Sequence, residues 1–510
     1  VPRLYYAAPN ASGEYVIWVT DGTKAGTRSI FTGSQNFGAQ SPYGFTTLDD
    51  DEIFAAVDPT GYVGVWVTQG TGASTIELIS GKQGTSLLSP QQFSLVGSDV
   101  VFEARDSNNN EALWSTGAVS GSATILLEFD KARYSVTSLG GFAIAADSDV
   151  SGNAELWVTD GTAAHTSLLY FTASSSDFDD NFNLAQVGTT ALFEARDSSG
   201  AVGLFAVYGA TGGYLELLTG MQGLFALQPS ALTVAGGKAF FSAYNPSGRI
   251  ALWVTDGTLA GTVQLLSTSS GAQAYPTDIT AVGSSVVFEA QSSDGAKNLY
   301  WSNGTVAGTR LVAAGLFSLN TASPNFFAFG SRTLFVAADS SGNLGLWITD
   351  GTTAGTKEIA GGAQGAYNLW PTGFRVINGR AYFLGTDSSG KVGVWGTDSS
   401  AAGTVELISG MQGANALVPQ NLTAFGGRVA FVGVDANKRY GLWVSDGTAV
   451  GTVEVLSLPF GTAGVAPYIV GVVGTDLIVA GYDATGALAE WSIDGTPADT
   501  VEIATTAPAR

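Results

Sequence analysis

Apolar and polar residues alternate in short runs along this chain, and no stretch carries the three-to-four-residue spacing of an amphipathic helix. Residues 405–456 show the unit. Val405-Glu406-Leu407-Ile408 alternates like a strand, and a loop from Ser409 to Val418 then leads to Pro419. Residues 421–425 read as a second strand, stopped by Gly426-Gly427. Residues 428–434 read as a third, closed by a turn between Asp435 and Arg439. Residues 440–445 read as a fourth, ending at Asp446-Gly447. Period-two alternation, β-branched content and Gly/Asp punctuation together predict antiparallel strands.

The fourth strand carries a phrase that recurs eleven times, placing an aromatic at Trp18, Trp66, Trp114, Trp157, Phe205, Trp253, Tyr300, Trp347, Trp395, Trp443 and Trp491. Successive intervals are 48, 48, 43, 48, 48, 47, 47, 48, 48 and 48 residues. The short one reflects a trimmed loop between Phe129 and Tyr134, since loops absorb deletions without disturbing the sheet they join. Units of this size are too small to fold alone and must share a core.

The expectation is an all-β protein: a β-propeller of eleven four-stranded antiparallel blades, with residues 1–510 as a single repeat domain. No linker divides the repeats, which favours one large ring. The alternatives are two tandem propellers, because propellers typically have four to eight blades, and an open superhelical stack. The first repeat begins at Leu4-Tyr5-Tyr6-Ala7, in the third-strand slot, so either its blade has three strands or an interface covers the gap. Each repeat aromatic should pack between blades, against the following sheet.

Proline supports this register. Pro42, Pro90, Pro229, Pro276, Pro371, Pro419 and Pro467 precede the next aromatic by 24 residues and Pro324 by 23, which suits entry to a strand whose first N–H has no partner. Asp-Gly-Thr after the aromatic reads as a turn device, in which Gly supplies positive φ and the Asp carboxylate accepts backbone N–H groups.

The clearest copy of the phrase is Glu155-Leu156-Trp157-Val158-Thr159-Asp160-Gly161-Thr162. With it, the chain resembles the bacterial ELWxxDGT-repeat proteins, sometimes labelled hyalin-like, over essentially its whole length. Residues 18–27, 157–166, 253–262, 347–356 and 443–452 fit well, although His165 replaces the usual glycine of the Ala-Gly-Thr ending. Gln69, Asn303 and Ser399 mark drifted copies, and the third and fifth keep less. The resemblance implies a secreted or surface location in bacteria, commonly within larger exported proteins. It implies no defined reaction.

Composition removes several functions. The formal charge is −22, from 21 basic and 43 acidic residues, which argues against nucleic-acid binding. With no cysteine and only His165, the chain excludes thiol catalysis, zinc–cysteine sites and histidine-based triads. No apolar run is long enough to span a bilayer, and the opening Val1-Pro2-Arg3-Leu4 has no basic segment with an apolar stretch, so the expectation is that any signal peptide has been removed or is absent.

Three features are candidates for function. Asp147, Asp149 and Ser151 space oxygens like the start of a Ca²⁺ loop, and Asp106, Asn108 and Asn110 form a weaker analogue; the competing reading is a polar hairpin. Glu103, Glu194 and Glu289 follow a strand phenylalanine, with Arg105 and Arg196 two residues beyond the first two. They are candidate catalytic carboxylates, or else ion pairs between blades. The Gly-x-Gln-Gly loops before the repeat prolines carry Gln222, Phe225, Tyr275, Tyr367, Trp370 and Gln412, suited to a neutral glycan or a surface protein, or to capping the blade ends. The resulting expectation is a secreted, non-enzymatic binding or scaffold propeller at a bacterial surface. The alternatives are a polysaccharide-active hydrolase or lyase, and a self-assembling subunit of a surface layer.

Overall fold

The computed structural model describes residues 2–10, 15–30, 42–58, 61–129, 135–148, 154–172, 184–197, 200–210, 213–266, 274–292, 295–317, 323–361, 363–364, 367–458, 466–483 and 485–505. These residues form strands joined by turns, with two single-turn 3-10 helices at Gly72–Ser74 and Ala163–His165. None of the described helices is long and apolar enough to cross a membrane.

Blade 1 pairs β1 (Leu4–Pro9), β2 (Tyr15–Thr20) and β3 (Arg28–Ser29) in that order. Blade 2 pairs β4 (Tyr43–Leu48), β5 (Asp51–Val57), β6 (Val63–Thr68) and β7 (Ile76–Ile79). Nine further four-stranded sheets repeat the order of blade 2. Eleven blades therefore stand as expected, but the first pairs only three strands among the described residues.

First strands of neighbouring blades pack beside one another, as β4 does beside Gln91–Val96, so these strands are innermost in the ring. Eleven hydrophobic clusters fill the structure, one at each blade-to-blade contact. Ten join consecutive blades. The eleventh joins blade 11 to blade 1 through Val473, Ile478 and Ile503, with Leu4 and Val470 against them. One closed ring of eleven is the result. Two tandem rings would break the blade 5–6 contact, yet Leu204, Leu217, Leu227 and Phe241 fill it without interruption.

The interfaces share one aromatic layer. Phe431 and Trp443 are directly paired across neighbouring strands, so both side chains emerge on one face and their rings stack at 6.3 Å. Phe102 with Trp114, and Phe383 with Trp395, repeat the arrangement. The indole nitrogens of Trp66, Trp114, Trp253 and Trp395 find acceptors ten residues upstream: Trp66 donates to the Ala56 carbonyl at 3.1 Å and Trp395 to that of Gly385 at 3.2 Å. The side on which the aromatics pack corrects the expectation. Trp66, Trp114, Trp253, Trp395 and Trp491 all lie in the cluster shared with the preceding blade. The strand phenylalanine on that face fixes the direction.

Asp-Gly-Thr is a closed hydrogen-bonded turn. In blade 6, Asp256 Oδ1 accepts from the Thr258 N–H at 2.9 Å and its hydroxyl at 2.7 Å. Thr255 and Thr262 join their hydroxyls at 2.7 Å, and Gly257 takes φ +89°. Gly261 sits against the same carboxylate: a Cβ there would lie 1.9 Å from Asp256 Oδ1. Gly261→Ala is therefore expected to cost about 1–3 kcal/mol, measured by urea denaturation. A second change, Asp256→Ala, should recover part of that loss, and strictly additive costs would contradict the contact.

Candidate functional site

The three strand glutamates lie on the second strands of blades 3, 5 and 7, so at least one whole blade separates any two. Packed sheets stand roughly 10 Å apart, which puts alternate blades beyond the separation of about 5–9.5 Å that a glycosidase pair uses. Glu103 is fully buried, and its Oε2 accepts from Gln91 at 3.3 Å and Gln92 at 2.9 Å. Burial, reinforced by the charge of Glu111, pushes its carboxyl up to about 8 against the lowering effect of Gln91. Glu289 pairs with Lys297 at 2.6 Å. Glu194 is half-buried on Thr190–Arg196. Arg105 turns away to Glu111 at 2.7 Å and Asn109 at 3.3 Å, and Arg196 donates to the Gly200 carbonyl at 2.6 Å. The candidate catalytic pairing does not assemble, because the three glutamates stand on alternate blades and Arg105, Arg196 and Glu289 bond within their own blade or turn.

The aspartate turn at blade 3 is built to receive N–H groups rather than to present oxygens. Asp106 Oδ1 accepts from the Asn108 N–H at 2.8 Å and the Asn110 N–H at 2.7 Å, and both Asn side-chain nitrogens face Oδ2. That donor set does not fit Ca²⁺, which needs a shell of oxygens. Asp147 belongs to the strand Ala143–Ser148, while its side chain and residues Asp149 and Ser151 lie outside the described residues. Among the described residues, no three His, Cys, Asp or Glu side chains gather to hold a metal ion.

Four of the loops before the repeat prolines fold as two-stranded hairpins. Gln222 and Gln412 close their own loops, donating to the carbonyls of Thr219 at 2.9 Å and Ser409 at 3.0 Å. Phe225 and Tyr367 lay their rings over Gly248 and Gly390 in the turn of the next blade, where a Cβ would come within 2.4 and 2.5 Å of them. Tyr275 and Trp370 are half-exposed residues immediately before a proline, at φ +41° and +46°. Ser89, Gln228 and Val418 repeat that conformation. Its cause is local: the residue before it is a fully buried leucine or alanine whose carbonyl accepts from the next blade, as Leu417 does from the Val434 N–H at 2.7 Å. The six candidate ligand residues are thus spread over four inter-blade loops, and Gln222, Phe225, Tyr367 and Gln412 cap blade ends.

Two arrangements escaped the motif reading. The first links three positions around the repeat aromatic: Asp eight residues before it, Gly two before and Glu eleven after. Blade 2 has Asp58, Gly64 and Glu77, and blade 5 has Asp197, Gly203 and Glu216. Blade 9 has Asp387, Gly393 and Glu406, and blade 10 has Asp435, Gly441 and Glu454. The constant 19-residue Asp-to-Glu interval was the available signal.

The second is the free inner edge of β1. In the register of blade 3, residues 99–105 on the second strand pair with an inner strand over Gln91–Val96. The matching strand in blade 1 is β1, and its pairing is with β2 alone among the described residues. Tyr5 and Ala7 are only half-buried, whereas the corresponding Ile53 and Ala55 of β5 are fully buried. A cavity of about 570 Å³ opens at the end of that edge, lined by Arg3 and Tyr5 on one side and by Thr47, Asp49, Asp50, Asp51 and Glu52 on the other.

No family model and no curated protein matches the chain. Solved structures similar to it include a Pyrococcus horikoshii acylaminoacyl peptidase, at 12% identity over 69% of this chain and 59% of that one, TM-score 0.28. A puromycin hydrolase matches at 13% identity over 74% and 61%, TM-score 0.29. A prolyl endopeptidase matches at 10% identity over 70% and 54%, TM-score 0.31. The chain therefore spans between 54% and 61% of the length of these structures. Their names are those of peptidases and a hydrolase. On that finding the expectation of a non-enzymatic binding or scaffold propeller is corrected, together with its polysaccharide-active and surface-layer alternatives. Likeness at these TM-scores carries no reaction across to this chain.

Proposed function

We propose that the ring handles polypeptide, taking an extended peptide segment as the inner strand of blade 1. The observation that carries this reading is the edge of β1, which has no pairing strand among the described residues while its counterparts in the other ten blades all have one. An unpaired edge presents alternate N–H and C=O groups and is a template for strand addition.

The ten occupied positions define what fits. Their inner strands carry an apolar residue at the third place, such as Phe45, Phe93, Ile279 or Leu422, and another at the sixth, such as Leu48, Val96, Val282 or Phe425. Antiparallel pairing puts the C-terminal end of the incoming segment beside Arg3, at the acidic cavity. A Lys or Arg just after the sixth position would meet Asp49, Asp50 and Asp51 there, so binding should weaken as salt rises.

The test uses a synthetic peptide of sequence Pro-Gln-Asn-Leu-Thr-Ala-Phe-Lys, copied from residues 419–425 with a lysine added. At ten times its Kd it should slow hydrogen exchange of alternate amides within residues 4–8 by about tenfold. A copy N-methylated at alternate residues cannot complete the ladder and should give no protection. Equal protection by both peptides, or by neither, would refute the reading.

A further inference from the structure

The Asp–Gly–Glu set around the aromatic places a strand glutamate where the charge of a turn aspartate opposes its ionisation. In blade 9, Asp387 is nearly fully buried and is held by donors. Its Oδ1 accepts from the Ser389 N–H at 2.8 Å, and its Oδ2 accepts from the Ser409 hydroxyl at 2.7 Å and the Gly410 N–H at 2.9 Å. Those bonds tie the turn of blade 9 to the loop that crosses toward blade 10. Glu406 reaches the same aspartate from the fourth strand, and its Oε1 is buried with no donor. Glycine makes the seat: a Cβ at Gly393 would lie 3.1 Å from that oxygen. At Gly441 the corresponding distance to Glu454 is 2.1 Å, and at Gly64 to Glu77 it is 2.6 Å. Oε1 of Glu77, Glu216 and Glu454 is likewise buried without a donor.

Blade 6 supplies an internal control. It has Asn245 for the aspartate, Ala251 for the glycine and Gln264 for the glutamate, so both acids become amides together and the glycine becomes alanine. An amide pair makes its hydrogen bond at any pH, whereas a carboxyl pair needs one proton between its members.

We propose that in blades 2 and 9 the strand glutamate is a proton-loaded latch: protonated, it donates to the turn aspartate and clamps turn, fourth strand and crossing loop together; deprotonated, it repels that aspartate and frees the loop. The surroundings agree. Around Glu406 the facing group is Asp387, on which Ser409 sets its hydroxyl and Lys391 its backbone N–H. Around Glu454 the facing groups are Asp435, Arg439 and Ser457; around Glu77, Asp58 and the Gly81 N–H; around Glu216, Asp197.

Burial, then the charge and hydrogen bond of Asp387, push Glu406 up to about 7. For Asp387 burial acts upward, but hydrogen bonds from Ser389, Ser409 and backbone N–H groups outweigh it and hold the carboxyl at about 2. Burial first, and then the paired aspartate, raise Glu77, Glu216 and Glu454 as well. A raised carboxyl stabilises the closed state fully below its ordinary value near 4.5 and stops doing so as pH climbs through its folded value. The latch therefore closes in acid and opens in alkali.

The test is hydrogen exchange at the Gly410 and Leu417 amides between pH 5 and pH 8, corrected for the intrinsic rate. In the unmodified chain the opening equilibrium should rise on the order of 50- to 100-fold across that range, from a carboxyl moving between about 7 folded and 4.5 open. Glu406→Gln should flatten the dependence while leaving the loop closed. A carboxyl-carbon NMR titration of the unmodified chain reads the same proton directly, with the Glu406 signal titrating near 7 and identified by its loss in the variant. The proposal is overturned by opening in the unmodified chain that does not change with pH, by a Gln variant with undiminished pH dependence, or by a Glu406 signal titrating near 4.5.

Discussion

Replacing Phe431 with alanine is expected to lower stability by about 3–5 kcal/mol. The ring is fully buried, stacks on Trp443 at 6.3 Å, and lies in the cluster with Tyr382, Val394, Leu407 and Leu417 that joins blades 9 and 10. Truncation removes apolar contact area and leaves a cavity that the flanking sheets cannot close without shifting their strand registers. Because each blade contacts only its neighbours, the damage should concentrate at one interface, with exchange protection lost in blades 9 and 10 before blades 4 and 5. Denaturant unfolding measures the total loss, and a decrease below about 1 kcal/mol would show that the aromatic layer does not bind blade to blade.

The ring-closing seam is the second place where a small change should have a large effect. Among the described residues its apolar cluster has three buried members, Val473, Ile478 and Ile503. Polar contacts supplement it: the Tyr6 hydroxyl donates to Glu490, which is 4% exposed. Burial raises the Glu490 carboxyl, and the Tyr6 bond lowers it only in part. Tyr6→Phe removes that donor and should cost about 2–3 kcal/mol, because the glutamate stays buried. Its folded value lies above the ordinary carboxylate range, so this seam, like the latches, should be firmest below about pH 4.5 and weaken as pH rises. Small-angle scattering of Tyr6→Phe at alkaline pH should show a larger radius of gyration than the unmodified chain, and unchanged dimensions and stability would contradict the seam's role.

Much of this architecture was legible because the signals were contiguous and repeated. The strand pattern of residues 405–456, the aromatic interval and the proline register all report local backbone demands, and a repeated local demand is hard to misread. Ring closure was not legible in the same way. It depends on Leu4 meeting Gly471, a contact between residues near opposite ends of the chain with no local trace. The side on which most of the indoles pack was misjudged because an indole such as Trp114 alone fits either neighbour; its directly paired Phe102 decides. The single glutamates attracted notice as charges in an apolar strand, yet Glu103, Glu289 and their neighbours resolve into local hydrogen bonds and an ion pair. The Asp–Glu pairs were missed for the opposite reason. Their members stand 19 residues apart on a turn and a later strand, and each alone resembles ordinary hairpin or surface chemistry. The same spacing recurs at Asp339, Gly345 and Glu358 in blade 8.

The chain contains no cysteine, so one engineered pair can test closure without interference. A Cβ at Gly471 would lie 2.8 Å from the Leu4 side chain, across the junction of blades 11 and 1. In a Leu4→Cys, Gly471→Cys double variant, oxidation or a short bis-maleimide should link the two positions within one molecule at high yield. The linked chain would migrate faster in a denaturing gel. A closed ring of eleven blades predicts that intramolecular product at any dilution. Two separate rings or an open stack would leave the thiols unlinked, or linked only between molecules at high concentration, and that result would contradict the single ring.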